Sequence, residues 1–170
     1  SDRAVDLVEE GFDLAIRMGQ LPDSSMKARM LAGNRRIVCA SPRYLEKHGT
    51  PRHPQDLANH NCIVMRFGRE VDNSWPFRVD GQDMRVQVRG DRSANDGDFV
   101  KSRILAGHGI GYKSIWDAAQ HLRAGELVAL LEEYAVESAP YQIVFPASVE
   151  QPRRVRALID HLSNWFSESE

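Results

Sequence analysis

The sequence is poor in the features that usually place a protein quickly. It has 2 cysteines in 170 residues, too few for a disulfide framework in a chain of this length. Cys39 in RRIVCAS and Cys62 in NHNCIVMR both sit among β-branched apolar residues, where a free thiol acts as a small hydrophobe. A redox-sensing pair would need exposure and adjacent positive charge. Arg35 and Arg36 lie near Cys39, but alternation along a strand turns them to different faces, so packing is the preferred role. No stretch approaches the roughly 20 apolar residues of a membrane helix. The first residues, SDRAVDLVEEGFDLAIR, carry acids where an export signal has an apolar block, so the expected location is the cytoplasm. Excess charge of one sign is missing too: 22 Lys+Arg against 24 Asp+Glu leave a formal net charge of −2. A pI near 6.3 argues against gripping nucleic acid through bulk charge. Aromatics are 8% and none interleaves with the basic cluster Arg153, Arg154 and Arg156, which therefore reads as a solvated face.

Catalytic signatures are absent as well. There is no GxxxxGK[ST], HExxH, GxSxG or CxxC. Ser24 and Lys27 form S-x-x-K without the supporting motifs of serine acyltransferases. Gly107, Gly109 and Gly111 form a G-x-G-x-G run, but they follow a helical pattern and precede a strand. A phosphate-binding turn needs the reverse order, so that helix N-terminal amides face the anion. A helix stop and a tight strand entry is the better reading. His53, His60 and Cys62 match no compact zinc spacing, and no pair of carboxylates stands apart as an acid/base set. The chain is therefore expected to be no enzyme and to need no cofactor or metal.

What remains is an ordinary globular composition, 42% hydrophobic and 27% charged, with alternating elements. Residues 2–10 read as a short helix stopped by Gly11, followed by a buried strand in FDLAI (12–16). MKARMLAGNRRIVCAS reads as two strands joined at a Gly33-Asn34 turn. Pro42 opens a helix that Gly49 ends, HPQDLANH connects, and CIVMRF (62–67) is a strand. WPFRV and MRVQVRG flank Asp80-Gly81, a hairpin signal. Asn95 and Asp96 are N-cap candidates for DFVKSRILAG, with Phe99, Val100 and Ile104 along one side. GIGYKS is a strand, SIWDAAQHLRAG a helix capped by Ser114, and ELVALL and YQIVF are strands. After Pro152, the residues Val155, Leu158, Ile159, Leu162 and Phe166 mark the apolar face of a last helix. Strands alternating with helices predict an α/β fold with a largely parallel sheet.

Polar groups at element ends are the remaining functional signal. Arg17 ends one strand and Arg66 another, with Phe67 beside it; Asn95 and Asp96 open a helix; Lys113 ends GIGY. In an open α/β sheet, ligands bind outside the carboxyl ends of the strands, and a helix N-terminus favours an anion. Together these ends predict a cleft for a small anion.

Four runs, VDLVEEGFDLAIRMGQLPDSS, RRIVCASPRYLEKHGTPRHPQDLANHNCI, RGDRSANDGDFVKSRILAGHGIGYKSIWD, and YQIVFP with VRALIDHLSNWF, cover nearly the whole chain in order. They resemble the effector-binding domain of LysR-type transcriptional regulators, and CASPRYLEKHGTPRHPQDL is the most distinctive part. The resemblance implies two Rossmann-like α/β lobes joined by two crossing strands, similar to a type 2 periplasmic binding protein. It puts residues 1–40 and 146–170 in lobe I, incomplete at its N-terminus, and 41–145 in lobe II, with crossings near Ser41-Pro42 and Val144-Phe145. It implies an effector between the lobes, with Arg17, Met18, Arg66, Phe67, Asn95, Asp96 and Lys113 as ligand-binding positions. It further implies self-association, and DNA contact only through a separate helix-turn-helix domain, which this sequence does not contain. A solute-binding protein of a transporter is the alternative, because its lobes are alike.

Overall fold

The computed structural model describes residues 13–18, 26–67, 69–91, 93–146 and 152–169. The helix expected over 2–10 lies outside them. The chain forms two compact units: one is Arg36–Glu137, and the other comprises the described parts of Ala4–Arg35 and Ser138–Glu170. The boundaries fall at Arg35/Arg36 and Glu137/Ser138, earlier than the expected crossings near 41 and 144. Strand pairing explains the difference, because Arg36–Ala40 is hydrogen-bonded wholly within the first unit and Ser138–Pro146 wholly within the second.

The second unit holds a three-stranded antiparallel sheet of β1 (Ala15–Met18), β11 (Ser138–Pro146) and β2 (Met26–Asn34), in the order β1-β11-β2. Helix α4 (Arg153–Ser169) packs on it. Val155 and Ile159 are buried with Leu31 and Ile143, and Leu162 and Phe166 pack against them. Leu158, expected on the same stripe, is 44% exposed; three residues after Val155, it falls to one side of the narrow arc that Val155, Ile159, Leu162 and Phe166 share.

The first unit contains β3 (Arg36–Ala40), α1 (Pro42–His48), β4 (Cys62–Phe67), β5 (Glu70–Val71) and the hairpin β6 (Ser74–Val79) and β7 (Gln82–Gln87). There follow β8 (Ser93–Ala94), α2 (Gly97–Leu105), β9 (Ile110–Ser114), α3 (Ile115–Arg123) and β10 (Val128–Leu130). Its main sheet runs β10-β3-β9-β4-β5, with β8 paired to β4. Alternate residues feed two cores. Val38, Cys62 and Val64 join Trp75, Phe77 and Tyr112 on one face. Ile37, Cys39, Ile63 and Met65 join Val100, Ile104 and Ala118 on the other. Burial on both faces explains why β3 after Arg36 and the first part of β4 are apolar without a break.

Local signals are met where their chemistry is simple. Ser41 caps α1 by accepting from the Tyr44 amide, and Gly49 follows with φ +81°. Asp80 and Gly81 have φ +50° and +78°, the two positive values a type I′ hairpin needs. Two expectations are corrected. Gly33-Asn34 is no hairpin turn: φ is not positive at either residue, and β2 and β3 pair into different sheets with only Arg35 between them. The sheet is mixed rather than largely parallel. β4 and β9 are parallel, but β3, inserted between β9 and β10, runs against both. The alternation rule speaks for strands linked by helices, and β3 follows β2 directly, with no helix between.

Candidate functional site

Parallel pairing brings three strand ends to one edge of the first unit. β4 and β9 are neighbours, with Cys62 opposite Ile110 and Ile63 opposite Gly111. β8 lies parallel to β4, with Val64 opposite Ser93 and Met65 opposite Ala94. The chain then passes through Asn95 into α2, whose N-cap Asp96 accepts the Phe99 amide at 2.8 Å. Arg66, Phe67, Asn95, Asp96 and Lys113 are thereby gathered at the carboxyl ends of the strands. β4 is buried over its first four residues and exposed over its last two, so Arg66 and Phe67 emerge where the strand leaves the core. The Arg66 guanidinium donates to Ser93 Oγ at 3.3 Å, and Phe67 is 41% exposed. Asn95 is exposed, just ahead of the first amides of α2, which have no partner within the helix. An anion here meets a cation, an amide side chain and the positive end of a helix.

Lys113 reaches the same edge in a different state. It is the one charged residue in the buried class among the described residues. Its ammonium donates to the Gly97 carbonyl at 3.0 Å and pairs with Asp117. The other Asp117 oxygen accepts from Lys101 at 2.6 Å, and Lys101 also reaches Asp98 at 2.8 Å. Burial alone would raise the Asp117 carboxyl; hydrogen bonds from Lys101 and Lys113 outweigh it and hold the group below the usual carboxylate range. The bond to Asp117, followed by that to Asp98, pushes the Lys101 ammonium above its ordinary value. A second arrangement was not foreseen from sequence. Arg36, opposite Ser114 at the start of β3, bonds Asp72 at 2.8 Å and the Tyr112 carbonyl at 2.9 Å, and its guanidinium lies 3.9 Å from the Tyr112 ring centre. Lys113 lies on β9 and Asp117 in α3, so the rule for i,i+4 neighbours on one helix gave no signal for their pair. Asp72, far from Arg36 in sequence, gave none.

Arg17 and Met18 lie in the second unit, on β1 opposite Gln142 and Tyr141; their side chains are outside the described structure. The other polar residues weighed in the sequence have local work. His53 caps the 3-10 helix Pro54–Asn59 together with Asp56. Nδ1 of His60 is 3.2 Å from the Tyr44 hydroxyl. Cys39 and Cys62 are free and buried. Burial pushes both thiols up to about 12, so at neutral pH they stay protonated and are poor nucleophiles. Gly107 has φ +78° at the end of α2, and a Cβ at Gly109 would stand 2.5 Å from the Asn61 carbonyl oxygen. The glycine run is thus a helix stop followed by a close strand entry.

A family model described as "LysR substrate binding domain" matches residues 1–167. The HTH-type transcriptional regulator DmlR of Escherichia coli (strain K12) is 36% identical over 167 residues, covering 98% of this chain and 54% of the relative. The HTH-type transcriptional activator TtdR of the same strain is 34% identical over 165 residues, covering 96% and 53%. Among solved structures, CrgA, a LysR-type transcriptional regulator from Neisseria meningitidis, superposes with a TM-score of 0.84 at 32% identity, over 94% of this chain and 54% of that one. The CrgA regulatory domain alone gives 0.83 at the same identity, with 78% of it covered. The chain spans about half the length of the curated relatives it matches.

Proposed function

The chain belongs to the LysR substrate binding domain family, and from that premise we propose that it is the effector-binding module of a LysR-type transcriptional regulator. Its ligand is a small molecule bearing a carboxylate. The observation that carries this is the gathering of Arg66 with Ser93, exposed Asn95 and the α2 N-terminus at one edge of the first unit. Phe67 offers an apolar surface beside them. Asp96 contributes by fixing the helix start, and Lys113 belongs to the same edge. The resemblance also gives Arg17 and Met18, on β1 of the second unit, as ligand-binding positions. The module acts by binding rather than by catalysis. Effector binding shifts a conformational equilibrium, which changes how a helix-turn-helix domain elsewhere in the full protein engages DNA. Self-association and a cytoplasmic location go with this reading. Among the described residues no helix is long and apolar enough to cross a membrane. Relatives named as HTH-type regulators favour the regulator over a transporter's solute-binding protein.

Calorimetry with a panel of mono- and dicarboxylic acids tests the proposal. A charge-assisted hydrogen bond is worth about 1.5–3 kcal/mol, so Arg66→Ala should weaken the best binder by roughly ten- to a hundredfold. Asn95→Ala should weaken it less, and Arg17→Ala tests the added contact alone. A binder whose affinity survives Arg66→Ala and Asn95→Ala would place the site elsewhere.

A further inference from the structure

A buried lysine is costly unless it is fully paired, and Lys113 is paired within the protein. Its ammonium holds the Gly97 carbonyl, in the first residue of α2, and the Asp117 carboxylate, in the first turn of α3. The same carboxylate takes Lys101 from the second turn of α2. One acidic group therefore ties the end of β9, the start of α3 and the start of α2. We propose that Lys113 and Asp117 are positioning residues. They fix the N-terminus of α2 at the edge where Asn95 and the first helix amides meet the effector, and Lys113 does not itself touch the ligand. This rests on the effector site proposed above.

The proposal differs in sign from the obvious alternative. If Lys113 were a direct contact, or if net charge governed affinity, removing the Asp117 charge would leave more positive potential at the edge and an anion would bind more tightly. If the pair positions α2, the same change loosens the helix start and weakens binding.

The experiment uses the intact chain with succinate and inorganic sulfate as probes, by calorimetry, together with amide hydrogen exchange. Asp117→Asn should weaken the bound probe about tenfold and speed exchange at the Phe99 and Val100 amides, while the β6–β7 hairpin is unchanged. The double variant Lys113→Met with Asp117→Leu removes both charges and should act in the same direction on binding. Tighter binding in Asp117→Asn, or exchange unchanged in α2, would overturn the proposal, and so would exchange raised throughout the unit. Failure of the effector reading looks different: neither probe then binds the unaltered chain, and exchange in α2 alone decides whether the pair positions the helix.

Discussion

Gly90→Ala is expected to destabilise the first unit more than any other single methyl group added to it. A Cβ at this position would stand 1.7 Å from the Cys62 carbonyl oxygen and 2.7 Å from its carbon. Both are backbone atoms, so no side-chain rotation relieves the clash. The Arg89–Gly90 segment and β4 must part by more than an ångström, since Cβ contacts under 3.0 Å are essentially never seen. Parting them breaks the hydrogen bond that the Cys62 N–H donates to the Arg89 carbonyl, 2.9 Å, and strains the paired hydrogen bonds between Asn61 and Asp91, each 2.9 Å. Overpacking of side chains costs about 1–3 kcal/mol; a backbone collision should reach about 3 kcal/mol or more. In a unit of about 100 residues that lowers Tm by roughly 12–24 °C. Gly81→Ala is the comparison. It has φ +78° and open space around it, so its cost is conformational only, about 1–2 kcal/mol. Equal shifts in Tm for the two variants would show that the Cys62–Gly90 approach is not close.

Trp75→Ala should cost about 3–5 kcal/mol, the range for emptying a buried aromatic site. Trp75 is 1% exposed, and its ring lies 5.5 Å from that of Tyr112. Its Nε1–H donates to the Asp72 carbonyl at 2.9 Å. The loss therefore reaches the binding edge: Asp72 is the partner of Arg36, and Arg36 lies over Tyr112. Trp75→Phe keeps most of the packing and removes the hydrogen bond, for about 1 kcal/mol. Urea unfolding followed by far-ultraviolet circular dichroism separates the two, because Trp116 and Trp165 would complicate fluorescence. A Trp75→Ala variant as stable as Trp75→Phe would mean that the ring fills no essential space.

These sites show which parts of the molecule could be read from sequence. Signals contained within a few residues were legible. Pro42 with Gly49 bounded α1, Asp80-Gly81 made its hairpin, and CIVMRF is a strand from Cys62 to Phe67. Signals that depend on what the chain meets later were not. Gly33-Asn34 has the composition of a turn, yet the strands on either side find partners in different sheets. Phe99 was grouped with Val100 and Ile104 but is 49% exposed, because the buried stripe of α2 is narrow. The residues at the candidate edge were found because strand ends and helix starts are local features. Their states were not. Lys113 and Arg66 are both cations at strand ends, and only tertiary pairing separates one held by Asp117 from one bonded to the exposed Ser93. The same limit hid Asp72 and Gly90, whose importance lies in a partner 36 residues away in one case and the backbone carbonyl of Cys62, on β4, in the other.

The most direct test of the effector site follows individual backbone amides by nuclear magnetic resonance while the best-binding carboxylic acid is added. An anion at the edge must change the environment of the first helix amides and of the groups beside them. Gly97 and Asp98 should therefore show the largest shifts, with Ser93, Asn95 and the Arg66 side chain also moving, and all should saturate with the calorimetric Kd. Saturable binding that leaves Gly97 and Asp98 unmoved, with the shifts confined to another surface such as the β6–β7 hairpin, would contradict the account.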